Sequence, residues 1–585
     1  EQQCANGLGV GGQVRHQPRV RQAQSPLGVS EPLDGIFHTG NFLGAGHPEH
    51  GHEVKAKSQW RQSIQILQAR KNSVVYTVIP SCQCIHLVLS LWVLLLCDSN
   101  IQQKVSVAAS KYACPPRYDH AEMITPSAFA AETRALFTIA WPMIIAQLAQ
   151  MGTGVVDTVM AGHYSADDLA AIAIGYNIWL PLVLLFIGMM LGATVIIAQD
   201  FGAGRTARIR ESLPQALWLA LLLGAVAGPL CYFSEPLLRL LELDENTHGK
   251  SLDYLQAVAF GLPATALFQA LRCHTQGIGV MRPFAIASIL GFLANIPLNY
   301  MFIYGHWGAP ELGAAGCGWA TTISMWLSPV LIAFYMARAP QLKAYLPPLK
   351  LVAPNLGRLR EITRLGLPMG LTFFMEIAVF SVIALLVATL GNTAMASHQI
   401  AFNVWDVVYM PLISIGSAMA TRIGHAIGRG DRPGVNLAII CGSSFTFLVG
   451  ISSIALLLTA PGLIISAYTG DPDIQAMAVT LVKLAGLFII IDTAQVAGSF
   501  CLRAFKDTRF PFVVSCIAYW LIALPVGYWI GIVSSTSPLE GTVGFWKGMI
   551  LGIGVSTLLV MWRLNAILRR PLSPEFVEQS RETTA

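Results

Sequence analysis

Three carboxylates lie in stretches that otherwise consist of apolar residues. They are Asp157 in QMGTGVVDTVMAG, Glu376 in TFFMEIAVFSVIALLV and Asp492 in LFIIIDTAQVAG. No Lys or Arg lies within one helical turn of any of them, so a local salt bridge does not explain their presence. A carboxylate near the bilayer centre costs about 2.5–3.5 kcal/mol, and such residues mark ion or proton pathways. Their chemistry would be reversible binding of a proton or of a hard cation such as Na⁺. The alternative is an interhelical hydrogen bond or a buried ion pair.

Oxygen-bearing partners are available for Asp157. Asn295 and Asn299 are four residues apart in LANIPLNYMF, so both project from one face of a helix. Each offers a carbonyl oxygen to a cation or a hydrogen bond to Asp157, and Thr321 could add a hydroxyl. Interhelical packing by Asn and Thr is the alternative role.

A second set of polar and aromatic residues is a candidate substrate cavity. Asp406 in NVWDVVYMP either lines the cavity or pairs with a neighbouring helix. Asn177 and Asn403 are equivalent in an internal repeat, which slightly favours a structural role for them. Tyr409 and Trp405 could contact flat organic cations through cation–π interactions, with plain packing as the alternative.

The elements that must position these residues are membrane helices. Hydrophobic residues make up 54% of the 585-residue chain and charged residues 12%, whereas a soluble domain has about a quarter charged residues. Long apolar segments alternate with short loops, which predicts an all-α polytopic membrane protein with twelve transmembrane helices. We place them at 134–160, 168–196, 211–233, 252–277, 283–304, 315–338, 361–390, 395–422, 436–459, 478–504, 511–533 and 543–567. Prolines inside these segments, such as Pro297 and Pro525, predict kinks that would serve alternating access.

The two halves of the bundle repeat. A shift of 226 residues carries Pro142 onto Pro368 and Trp179 onto Trp405, and a shift of 228 carries Tyr300 onto Tyr528. Each half has six helices, an even number, so the repeat is parallel about an axis along the membrane normal. The predicted organisation is an N-terminal extension at 1–122, a first lobe at 123–338, a cytoplasmic linker at 339–360, a second lobe at 361–570 and a cytoplasmic tail at 571–585.

Basic residues predict the orientation. The loops at one side carry many of them, among others Arg205, Arg429 and Lys506, and the opposite loops have only Arg239, Lys250, Lys483 and Lys547. The positive-inside rule places the first set, and both ends of the bundle, in the cytoplasm of a cell (inner) membrane protein.

The first 122 residues differ from the bundle. The first methionine is Met123, and we expect most of residues 1–122 to be mis-assigned upstream translation or an unrelated extension. Within them the apolar run 84–97 has fourteen residues, a length that suits a signal-like or interfacial segment better than a membrane span.

Several motifs in order resemble the multidrug and toxic compound extrusion (MATE) family, in its NorM-like branch. They are GVVDTVMAG (154–162), LRCHTQGIGVMRPF (271–284), NIPLNYMFIYGHWGAPELGAAGCGWAT (295–321), FFMEIAVFSVIALLVATLG (373–391), ASHQIAFN (396–403) and IDTAQVAGSFCLRAFKDTRF (491–510). The resemblance covers about 130–570.

The resemblance implies two cation sites. The first-lobe site would comprise Asp157, Asn295, Asn299 and Thr321, and the second-lobe site Glu376 and Asp492, with Na⁺ at Asp157, Glu376 or Asp492 in some relatives. A tyrosine that some relatives carry one turn before the second-lobe Asp is Phe488 here. Phe offers no oxygen, which favours proton coupling in that lobe.

The expected function is cation-coupled (H⁺ or Na⁺) efflux of amphipathic organic cations by a monomer, with no cofactor, no enzymatic activity and no nucleic-acid partner. No GxxxxGK[ST] motif is present, which argues against ATP as the energy source. One rival is a flippase for a lipid-linked precursor, which would need several Arg or Lys lining the cavity, whereas Arg272 is the main interior candidate. The other is an intramembrane enzyme, for which the sequence shows no HExxH motif.

Overall fold

The computed structural model describes residues 125–241, 243–347 and 352–570. The predictions for 1–122, for the run 84–97 and for the tail 571–585 lie outside these residues. The described chain is almost entirely helical, as expected from its apolar segments. Eleven of its helices are long and apolar enough to cross a membrane, and a bent pair of shorter helices brings the number to twelve.

We number the twelve spans α1 to α12. They are α1 (Pro126–Tyr164), α2 (Ala166–Gly202), α3 (Thr206–Tyr232), α4 (Glu245–Ala259 with Leu262–Ile278), α5 (Arg282–Tyr304), α6 (Ala314–Arg338), α7 (Leu356–Ala388), α8 (Asn392–Arg429), α9 (Arg432–Thr459), α10 (Pro472–Ala504), α11 (Arg509–Val533) and α12 (Pro538–Leu568). Short helices cover Glu235–Arg239, Pro340–Lys343 and Pro461–Ser466, and a 3₁₀ turn covers His306–Gly308.

Most of the helices begin before their apolar segments because polar caps precede them. Thr125 accepts from the amide of Ala128 at the start of α1, and Ser165 accepts from the amide of Asp167 at the start of α2. Asn355 and Asp471 cap α7 and α10 in the same way. Such side chains satisfy the free amides of a first helical turn, and proline often follows them. The predicted linker 339–360 is therefore shortened, since its last five residues belong to α7.

Two of the spans are irregular where proline or glycine interrupts them. The halves of α4 meet at an angle of 42° around Gly261, with Pro263 in the first turn of the second half. In α11 the residues Cys516–Ala523 and Trp529–Val533 are wound as π-helix on either side of Pro525. Other prolines at which a kink was predicted, such as Pro297, lie within continuous helices. The proline signal thus located two irregular spans among the several it indicated.

The helices form two six-helix lobes. In the first lobe α5 packs against α1 and α6, while α2 packs against α4. In the second, α10 packs against α8, α9 and α12. The lobes meet where α2 of the first packs along α7 and α8 of the second, and where α1 packs against α8. We call the end of the bundle at which α2 ends and α3 begins, which carries Arg205 and Arg208, the basic end.

Candidate functional site

The first-lobe residues predicted from the sequence lie together. Asn299 Nδ2 donates to Asp157 Oδ1 at 2.6 Å, and Thr321 Oγ1 donates to Asp157 Oδ2 at 3.1 Å. The same Asn299 nitrogen donates to Asn295 Oδ1 at 3.0 Å. All four side chains are buried, and Asn299 Oδ1 has no hydrogen-bond partner. Helices α1, α5 and α6 thus bring a carboxylate, two amides and a hydroxyl to one point.

The second-lobe acids lie among aromatic residues. The indole nitrogen of Trp405 donates to Asp492 Oδ2 at 3.2 Å, and Asp492 is only 3% exposed. Glu376 on α7 is half-buried and interacts electrostatically with Asp492. Phe488 is buried one turn before Asp492, with its ring 6.0 Å from that of Trp405. The polar contact to Asp492 therefore comes from the neighbouring helix α8 rather than from its own helix.

The residues predicted for a substrate cavity are divided between the lobes. Tyr409 stacks on Trp405 at 4.7 Å and belongs to the second-lobe cluster. Asp406 is half-buried. The exposed Tyr176 of α2 interacts electrostatically with Asp406 and with Asp157. Tyr176 therefore lies between the acidic residues of the two lobes.

The two repeat-related asparagines make local contacts. Asn177 is exposed and its Nδ2 donates to Ala173 O at 2.9 Å, and Asn403 accepts from Gln399 at 3.4 Å. Both contacts are within their own helix. Across residues 125–241, 243–347 and 352–570, no group of three His, Cys, Asp or Glu side chains is placed to hold a metal ion.

Hydrogen bonds join the lobes in the half of the bundle nearest the basic end. Gln276 Nε2 donates to Ser417 Oγ at 2.6 Å, and Gln199 Nε2 donates to Ala504 O at 2.9 Å. His425 Nε2 lies 2.8 Å from Gly277 O. In α2 every residue from 188 to 198 is buried, whereas Tyr176 and Asn177 are exposed. The lobes are thus in contact near the basic end and apart toward the opposite end.

Glycines let α2 approach α7 closely. A Cβ on Gly188 would lie 2.3 Å from Gly370 Cα, and a Cβ on Gly366 would lie 2.0 Å from Met189 O. No side chain fits at these distances, so backbone meets backbone across the lobes. We call this contact, made by Gly188, Gly192, Gly366 and Gly370, the glycine seam.

A charged cluster at the basic end was not predicted as a unit. Asp200 is 4% exposed and lies 3.5 Å from Arg205 and 3.6 Å from Arg208. Lys506, in the loop between α10 and α11, lines the same small cavity as these residues together with Glu361. Burial lowers the pKa of Lys506 from its ordinary value, and the charges of Glu361 and Asp200 act in the opposite direction. The sequence located the individual charges near the basic end, but only the fold brings them together.

Comparison with known proteins decides the family. A family profile described as MatE matches the chain twice, over residues 142–301 and 368–529. The chain is 39% identical over 441 residues to "Multidrug resistance protein PmpM" of Pseudomonas aeruginosa, covering 75% of this chain and 92% of that protein. This chain belongs to the MatE family. The two matches begin 226 residues apart and end 228 residues apart, which confirms the internal repeat.

Further relatives and solved structures agree with this assignment. "Multidrug resistance protein MdtK" of Edwardsiella ictaluri is 38% identical over 447 residues, which cover 76% of this MatE chain and 97% of that protein. The crystal structure of the eukaryotic MATE transporter AtDTX14 matches with a TM-score of 0.70 at 19% identity, covering 78% of this chain and all of that one. A structure described as the outward-facing conformation of a multidrug resistance MATE family transporter has a TM-score of 0.67 at 18% identity, with coverages of 75% and 97%. At 18–19% sequence identity, the similarity to these structures supports the fold alone. The family assignment makes this chain a transporter and not an enzyme.

Proposed function

We propose that this MatE transporter exports amphipathic organic cations from the cytoplasm in exchange for H⁺ or Na⁺. The names of its relatives support multidrug efflux, because those relatives are called multidrug resistance proteins. The basic end is then the cytoplasmic end, in a cell inner membrane, and the described conformation faces outward.

The observation that carries the cation coupling is the environment of Asp157. Its hydrogen-bond partners, Asn299 and Thr321, are neutral, and no Lys or Arg is paired with it among the described residues. A buried carboxylate without a counter-charge is costly, and it becomes less so when a cation binds. The unpaired oxygen of Asn299 beside it is an additional ligand for that cation.

The proposed cycle alternates the access of these acids. With the lobes apart at the cytoplasmic end, the ionised acids attract the organic cation. After the change to the outward-facing conformation, H⁺ or Na⁺ from outside binds the acids and the organic cation leaves. Each inward positive charge contributes about 2.3 kcal/mol per 100 mV of membrane potential. That corresponds to about a 50-fold concentration gradient, since about 1.4 kcal/mol is tenfold.

The test is ethidium uptake into everted membrane vesicles under an imposed pH gradient or an imposed Na⁺ gradient. We expect the wild-type protein to accumulate ethidium under at least one of them, and Asp157→Asn, Glu376→Gln and Asp492→Asn each to reduce the rate at least about tenfold. The matched control is Asp168→Asn. Asp168 is as buried as Asp157 and Asp492 but paired with Lys250 at 2.7 Å, so its variant should still transport once the rate is corrected for folded protein. Normal transport by all three variants would refute the assignment of the cation sites.

The flippase alternative is not favoured by the described residues. It requires a cavity lined by several cationic side chains that are available to a phosphate group. The small cavity at the basic end is lined by Arg205, Arg208 and Lys506, but Asp200 and Glu361 line it as well, and Asp200 lies 3.5 Å from Arg205 and 3.6 Å from Arg208. Arg272 donates to Gln269 Oε1 at 3.1 Å and stacks on Phe284 at 4.5 Å, fully enclosed.

A further inference from the structure

Arg503 is a buried arginine that reaches from α10 toward Glu376. It is 6% exposed and lies one residue before the end of α10. Its guanidinium stacks between two rings, 4.5 Å from Phe500 on its own helix and 4.9 Å from Phe373 on α7. Phe373 precedes Glu376 by three residues, so the two lie on one face of α7. The guanidinium therefore lies against the turn of α7 that precedes Glu376, on the side of the basic end.

One nitrogen of this guanidinium is left without a partner. Arg503 Nη1 is fully buried and makes no hydrogen bond. Arg503 lines a small cavity between the lobes, together with residues of α2, α4, α7 and α8 that include Thr194, Gln276 and Ser417. Gln276 Oε1 is also unpaired, although Gln276 Nε2 makes the hydrogen bond to Ser417 that joins the lobes. A buried charged group with an unsatisfied hydrogen-bond donor is costly unless a nearby opposite charge offsets it.

The opposite charge is Glu376. The groups whose charges interact with Glu376 are Arg503 and Asp492 from α10, Tyr409 from α8 and Tyr519 from α11. Arg503 is the cation in this group. With both acids ionised, the cluster of Glu376, Asp492 and Arg503 carries a net charge of −1. Asp157 in the first lobe also carries −1, but its hydrogen-bond partners are neutral.

We propose that Arg503 is a permanent counter-cation for Glu376, so that the second-lobe site accepts one positive charge per cycle although it has two acids. This inference rests on the proposed function, because it concerns the cation that the acids exchange for the organic substrate. It assigns Arg503 a positioning role: the guanidinium favours the ionised form of Glu376 and leaves Asp492 as the main group that binds the coupling ion.

The test is the pH dependence of tetraphenylphosphonium binding to the purified full-length transporter. Protons and this organic cation compete for the same acids, so the affinity has a midpoint pH. In Arg503→Gln, Glu376 no longer has a counter-cation. We expect the midpoint pH of tetraphenylphosphonium binding to rise by about one unit, which corresponds to a tenfold gain in proton affinity. Arg503→Lys keeps the charge and should restore the midpoint to the wild-type value. The matched control is Arg272→Gln, a buried arginine of the other lobe that stacks on Phe284, and its midpoint should not move.

A double mutant separates this role from a purely structural one. In a Glu376→Gln background, Arg503→Gln should no longer shift the midpoint, because the acid that it neutralised is gone. If Arg503→Gln alone fails to fold, the proposal requires that Glu376→Gln/Arg503→Gln recovers the folded yield, and failure to recover it would overturn the proposal. A midpoint that is the same in wild type and Arg503→Gln would also overturn it. Neither result would touch the proposed efflux function, which fails instead if the wild type pumps ethidium under neither gradient.

Discussion

Arg422 of α8 donates two hydrogen bonds to the carboxylate of Glu132 on α1, from Nε to Oε1 at 2.8 Å and from Nη2 to Oε2 at 2.5 Å. The pair joins the second lobe to the first near the basic end. Its side chains are 20% and 12% exposed, so water screens it only partly. Bidentate pairs of this kind are among the stronger polar contacts in proteins. The pair therefore favours the conformation in which the lobes are closed at this end.

Breaking this pair should open the basic end. We expect Glu132→Gln or Arg422→Gln to remove about 1.5–3 kcal/mol from the closed conformation, an increase of about 10- to 100-fold in the open fraction. The measurement is the rate at which a maleimide modifies a cysteine introduced at Leu191, in a background without the native cysteines. Leu191 is 7% exposed and lines the cavity between the lobes. The charge-swapped Glu132→Arg/Arg422→Glu variant should slow the modification again; equal rates in all variants would show that the pair does not hold the lobes together.

Glycine-seam substitutions should have the same effect by steric means. In Gly366→Ala the new Cβ would lie 2.0 Å from Met189 O, which the closed lobes cannot accommodate. We expect faster modification of the cysteine at position 191 and reduced ethidium transport, because one of the two conformations of the cycle is destabilised. Gly554→Ala is the control, since a Cβ there meets nothing within 4 Å. A Gly366→Ala protein that transports at the wild-type rate would contradict a functional role of the seam.

Asp168, a buried acid at the end of the bundle opposite the basic end, should contribute to stability and not to transport. Asp168 accepts from the amide of Ala314 at 2.7 Å, at the start of α6, and from Lys250 Nζ at 2.7 Å. Asp168→Ala leaves the amide and the ammonium without this partner, and we expect a loss of about 2–4 kcal/mol in the free energy of unfolding. Unfolding by SDS in mixed micelles measures it. The adjacent Asp167 is 54% exposed, so Asp167→Ala should change stability by less than about 1 kcal/mol. Equal losses in the two variants would contradict the special role of Asp168.

Much of the fold could be predicted from the sequence because its signals are local. Apolar length located each span, and spacing along α5 placed Asn295 and Asn299 on one face, where the structure has both beside Asp157. The predicted starts of α7 and α10 were five and six residues late. Asn355 and Asp471 cap these helices with polar side chains, which an apolar criterion excludes.

Contacts between distant parts of the chain could not be predicted in the same way. Trp405 and Asp492 are 87 residues apart, and the repeat offers no guide, because the equivalent Trp179 donates instead to Tyr254 OH at 3.2 Å. Glu132 and Arg422 are 290 residues apart and lie in different lobes. Each of them reads in the sequence as an ordinary charge near a helix end. Only the packing of α1 against α8 reveals that they form a pair.

Residues 352–355, which precede α7, are held by one side chain of α3 that makes hydrogen bonds to their backbone both as a donor and as an acceptor. Gln215 Nε2 donates to Ala353 O at 3.1 Å, and Gln215 Oε1 accepts from the amide of Asn355 at 2.7 Å. Gln215 is 2% exposed, so Gln215→Leu would leave these two backbone groups without that partner, at a cost of about 1–3 kcal/mol for each buried group. We expect trypsin to cut at Arg358 or Arg360 several-fold faster in Gln215→Leu than in wild type. Trp218→Phe, which removes a single hydrogen bond to Val352 O at 2.9 Å, should give an intermediate rate. Cleavage at the wild-type rate in Gln215→Leu would mean that this segment is held in place by packing, independently of Gln215.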